Sequence, residues 1–104
     1  MNKEKKEIYF TEYNRYPSKP LSLLKDLYER SIEKELDFSK GAYMNISMRT
    51  NHKSADEEYQ AQLEWLFLQG YLNYKYGNGS IEEKDPIIAV VVLTPQGMEK
   101  ASQL

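Results

Sequence analysis

The sequence predicts an α+β domain, helices packed with a two- to three-stranded antiparallel sheet. Three stretches predict it. Tyr59–Leu72 (YQAQLEWLFLQGYL) holds apolar residues at helical spacing up to a glycine, then turns β-prone. Leu21–Leu36 (LSLLKDLYERSIEKEL) is amphipathic with a helical period. Ile87–Leu93 (IIAVVVL) is a β-branched run without polar interruption. At 104 residues the chain has enough material for one core.

The N-terminal 20 residues read as an arm ahead of a single domain over 21–104. MNKEKKE is a solvated charge run. Ile8–Tyr13 fits a short strand that packs on the domain or on a second subunit, or a frayed terminus. Pro17 and Pro20 forbid regular structure just after it. In the first helix, Leu21, Leu24, Tyr28, Ile32 and Leu36 line one face. Ser18 or Ser22 is the candidate cap, and Pro20 suits the first turn.

DFSKG ends in a glycine and reads as a turn. AYMNISM then alternates Met44, Ile46, Met48 against Asn45, Ser47, Arg49, which fits a half-buried strand, while a short helix stays open. RTNHKS follows, with three potential cations and no apolar residue. Ser54 stands three residues before Glu57, the spacing of a capping box, and starts the central helix.

In that helix Tyr59, Leu63, Leu66, Phe67 and Gly70 fall at i, i+4, i+7, i+8 and i+11. Ala61, Trp65, Leu68 and Leu72 form a second stripe, so burial against more than one neighbour is expected. Gly70 sits where the chain must turn left-handed. YLNYKY alternates as a strand, and GNGSIEEKDP is loop chemistry too long for a tight hairpin. Ile87–Leu93 suits a central strand, or one covered by the arm or another subunit. Thr94 caps a final helix with Pro95 at its first position.

Leu63–Leu72 (LEWLFLQGYL) is similar to the end of a recognition helix entering its wing. Leu93-Thr94-Pro95-Gln96-Gly97 is similar to the LTxxG segment that closes a wing. In this order, over residues 21–102, the chain resembles the winged-helix superfamily of small bacterial or phage DNA-binding regulators. It departs from that pattern twice. Only Asn45–Ser54 is left for the helix before the recognition helix. Ala55-Asp56-Glu57-Glu58 also puts three carboxylates at the recognition helix start, which suits the dipole but repels phosphate.

The resemblance implies a helix-turn-helix-like element that places residues 51–62 in a major groove of double-stranded DNA. Candidate contacts are Arg49, Asn51, His52, Lys53 and Ser54 before the helix, and Gln60 and Gln62 on its exposed side. Lys75 and Asn78 complete the surface at the wing. Arg49 and Lys53 would clamp phosphate, and Asn51 or Gln62 would read adenine. RTNHKS is otherwise a polar connection. A net charge of −2 supplies no global field towards nucleic acid.

The rival expectation is an adaptor that binds protein and not DNA. Nine tyrosines and one tryptophan are amphipathic anchors of the kind enriched at interfaces. Tyr9, Tyr13, Tyr16, Tyr43 and Tyr76 are too many for one modest core. A homodimer through the arm or the terminal helix is expected in either case.

Catalysis, a cofactor and a metal are not expected. The absence of cysteine excludes disulfides, thiol chemistry and cysteine-ligated metals. His52 is the sole histidine, in a polar loop, and Gly77-Asn78-Gly79 leads to acids and a proline rather than a helix. Glu82, Glu83 and Asp85 match no ordered calcium loop. No apolar run reaches bilayer length, and the charged N-terminus lacks a secretory signal, so a soluble cytoplasmic protein is the expectation.

Overall fold

The computed structural model describes residues 3–34, 37–45, 53–76 and 88–104, with backbone alone at 43–45, 53–56, 76 and 88–89. Its elements are helices α1 (Lys3–Arg15), α2 (Ser18–Ile32), α3 (Lys53–Leu68) and α4 (Pro95–Ser102). The strands are β1 (Ala42–Asn45), β2 (Leu72–Tyr76) and β3 (Ile88–Leu93). The fold is α+β, with one antiparallel sheet in the order β1-β3-β2.

The N-terminal segment is the first departure from expectation. Ile8–Tyr13 is helical, and so are residues 18–20 around the two prolines. Tyr9 and Tyr13 lie one helical turn apart, with rings stacked at 6.1 Å, and Tyr13 is fully buried. Glu4 in the first turn and Arg15 in the last complement the dipole. Pro17 ends α1, because the residue before a proline is pushed out of the helical region. Pro20 then falls in the first turn of α2, where a missing N–H leaves no helical bond unmade.

The start and end of α2 also differ from the reading. Pro17, not Ser18 or Ser22, stands at its N-cap, and no side chain caps it. The helix ends at Ile32 rather than Leu36, with Lys34 left-handed at φ 62°. The cause is Phe38, whose ring is fully buried and draws the chain back. Ser31 fastens this turn: its hydroxyl donates to the Leu27 carbonyl and accepts the Phe38 N–H, both at 2.9 Å. Ile32 is left exposed.

β3 is the central strand, as its run of apolar residues implied. Val91 and Leu93 face the core beside Leu72, while Val90 and Val92 on the other face are half-buried. Residues 46–48, read as the continuation of β1, lie outside the described residues.

The exit of α3 is as expected. Gly70 has φ 82°, its N–H donates to the Phe67 carbonyl at 2.9 Å, and the Tyr71 N–H donates to Leu66 at 3.0 Å. This is a Schellman ending, which satisfies carbonyls that the helix leaves orphaned. Its start is one residue early: Lys53 is already helical, so Ser54 lies within the first turn rather than before it.

Thr94 caps α4 as predicted, accepting the Gly97 N–H at 3.0 Å, with Pro95 following. The same hydroxyl donates to the Gly70 carbonyl at 2.6 Å, and the Thr94 N–H donates to Tyr71 at 3.1 Å. Gly97 is required here: a Cβ would lie 1.8 Å from the Tyr71 carbonyl oxygen. The QGY and LTPQG segments are therefore two halves of one junction.

Candidate functional site

α3 is walled on several sides by the elements around it. On the α1 side, Glu57 pairs with Lys5 at 3.1 Å, and Glu64 pairs with Lys6. The Trp65 indole N–H donates to the Asn14 side-chain oxygen at 2.9 Å. On the α2 side Glu58 pairs with Lys19 at 2.9 Å. Leu63 and Leu66 complete the core beneath. Residues 57–66 are consequently all buried or half-buried.

This placement corrects one proposed DNA contact. Gln62, expected on the exposed side, is only 9% accessible and sits between α3 and α2. The helix is packed by α1, an element absent from the sequence reading, so its polar face points into the protein. Gln60 is half-buried, and Lys75 is exposed on β2 opposite Val90. Lys53 and Ser54 lie in the first turn of α3, where only the backbone is described. Arg49, Asn51, His52 and Asn78 lie outside the described residues, as does the acidic flap. The proposed DNA surface is thus not assembled among the described side chains.

Burial raises the Tyr13 hydroxyl well above the ordinary tyrosine range, and Glu58 and Glu12 add to the shift. Gln62 lies close enough to favour the ionised form, yet without the geometry of a hydrogen bond, and the hydroxyl has no partner. Of the other tyrosines suspected to be in excess, Tyr9 is half-buried and Tyr16 is 70% exposed. The side chains of Tyr43 and Tyr76 are not among those described.

Another surface emerges where α3 meets β2. Phe67 and Leu68, read as core from their stripes, are 45% and 60% exposed. Phe67 meets Tyr74 edge-on, ring centroids 5.9 Å apart. Glu64, Phe67, Tyr74 and Lys75 bound a shallow concavity of about 320 Å³. The signal for it was present in the sequence: two adjoining stripes on one helix exceed what a small core covers.

Among the described residues no group of three or more acids or histidines is placed to hold a metal ion. No described helix is long and apolar enough to cross a membrane. No protein-family model, curated protein or solved structure matches the chain.

Proposed function

We propose that the chain is a non-enzymatic winged-helix-type adaptor that docks another protein where α3 meets the wing hairpin β2–β3. The observation that carries this reading is the distribution of exposure along α3. Its body, residues 57–66, has no fully exposed side chain, whereas Phe67 and Leu68 at its end are open, Phe67 against the Tyr74 ring. Exposed aromatic and aliphatic groups next to a concavity are the chemistry of an interface core, and Lys75 and Glu64 supply a polar rim. The fitting partner is a protein segment with apolar side chains and an acid to meet Lys75.

The test is capture of a partner by the full chain after nuclease treatment. A specific band should be retained by the natural chain and lost from a Phe67→Ser, Leu68→Ser variant of unchanged helicity. Equal retention by both proteins rejects this surface.

A second reading, a DNA-binding regulator, is favoured by topology. The order helix, strand, helix and two antiparallel strands, with strand order β1-β3-β2, supports the winged-helix resemblance. In that case Arg49, Lys53 and Lys75 carry phosphate contacts, and alanine at all three should abolish duplex binding at low salt. Homodimerisation belongs to either reading, and the sedimentation coefficient as a function of concentration tests it.

A further inference from the structure

The concavity where α3 meets β2 carries an ordered pattern of charge. Its α3 wall is made by Glu64 and Phe67, one helical turn apart on the same face. Its β2 wall is made by Tyr74 and Lys75, on a strand at the edge of the sheet. The Phe67 and Tyr74 rings meet edge-on between the two walls. Across the hollow the order is therefore acid, aromatic, aromatic, base.

Such an order is complementary to itself. A second copy turned by half a revolution about an axis through the ring pair sets its acid over the first copy's base. Its own base then falls over the first copy's acid, and rings pack on rings. In an isologous contact every favourable pair occurs twice, so one acid and one base on each chain make two ion pairs. Lys6 holds one oxygen of Glu64, and a carboxylate accepts through both. Lys75 is exposed, as are Phe67 and Leu68. An unrelated partner has to bring base and acid in the matching order around apolar groups, whereas a second copy brings them already.

We propose that a second copy of this chain closes the hollow, with Lys75 of one against the partner subunit's Glu64. The inference rests on the reading of this surface as a protein-docking site and gives that site a regulation. Second copy and docked protein exclude one another, and the surface opens as the chain is diluted. The contact is small. Interfaces below about 1,200 Å² are weak and transient, so the dissociation constant lies above about 1 μM.

The experiment is sedimentation equilibrium of the full chain. Its mass should rise from that of one chain to that of two between about 10 μM and about 1 mM. Lys75→Glu, and Phe67→Ser with Leu68→Ser, should each weaken the association about tenfold or more. Lys75→Glu mixed with Glu64→Lys should associate although neither does so alone, because each brings the charge that the other lacks. A mixture no better than its components overturns the proposal. So does a natural chain that stays a monomer, or an association that survives Phe67→Ser with Leu68→Ser. Should Glu64→Lys fail to fold once its bond to Lys6 is lost, amide shifts of the natural chain with concentration read the same contact. They must fall on residues 64–75, and shifts elsewhere overturn the proposal equally. Capture of another protein through Phe67 and Leu68 by a chain that stays monomeric rejects the second copy and leaves the adaptor. Self-association through these residues with no captured protein supports the second copy and rejects the adaptor.

Discussion

The Thr94 hydroxyl and N–H make three hydrogen bonds at the point where α3, the sheet and α4 meet, and this small junction sets the geometry around it. Its hydroxyl joins the Gly70 carbonyl to the Gly97 N–H, and its own N–H reaches Tyr71. Thr94→Val keeps the shape and removes the hydroxyl, so it should cost about 1–2 kcal/mol in denaturant unfolding. Gly97→Ala drives a methyl into the Tyr71 backbone. It should cost at least about 3 kcal/mol, read as a drop in Tm, because neither chain segment has room to yield. Tyr13 makes a different prediction. Its folded-state pKa is raised above the unfolded value of about 10, so the folded state holds the proton more tightly. That contribution is fully present below pH about 10 and is lost as pH rises beyond it. Tyr13→Phe should therefore flatten the alkaline loss of stability above pH 10. At neutral pH it should change stability by less than about 1 kcal/mol, since the hydroxyl has no partner.

At the scale of elements, α1 decides how α3 is presented. Its ion pairs to Glu57 and Glu64 are partly solvated and contribute little each, about 0–1 kcal/mol. The anchor is Tyr13 in the core, supported by the Asn14–Trp65 bond. Removing residues 1–15 should cost about 3–5 kcal/mol, measured by urea unfolding, whereas a mere arm would leave stability unchanged. Raising the salt concentration should by contrast affect stability little. This is also where the sequence was least legible. The end of α3, its glycine, the central β3 and the Thr94–Pro95 start of α4 were readable, because each is fixed by local chemistry within a few residues. The helical state of Ile8–Tyr13 was not, since it depends on packing against a helix some fifty residues away. The early end of α2 likewise depends on Phe38 folding back. Phe67 and Leu68 fitted apolar stripes, yet the core closed before reaching them.

At the scale of the molecule, Glu57, Glu58 and Glu64 of α3 are answered from within by lysines of the first nineteen residues. A net charge of −2 gives the chain no broad attraction for phosphate. Among its described side chains, α3 acts as a wall of the fold over residues 57–66, and the exposed apolar groups are at its C-terminal end. Of the nine residues the sequence offered for DNA, Gln62 is withdrawn by burial and Lys75 is the one fully exposed among described side chains. The proposed adaptor function requires that α3 does not read a duplex. Fluorescence anisotropy of a labelled mixed-sequence duplex, titrated with the chain at low salt, tests this most directly. The account predicts no saturable rise up to about 100 μM, the weak limit of ordinary non-specific binders. Saturation in the low micromolar range, abolished by Arg49→Ala with Lys53→Ala, would contradict it.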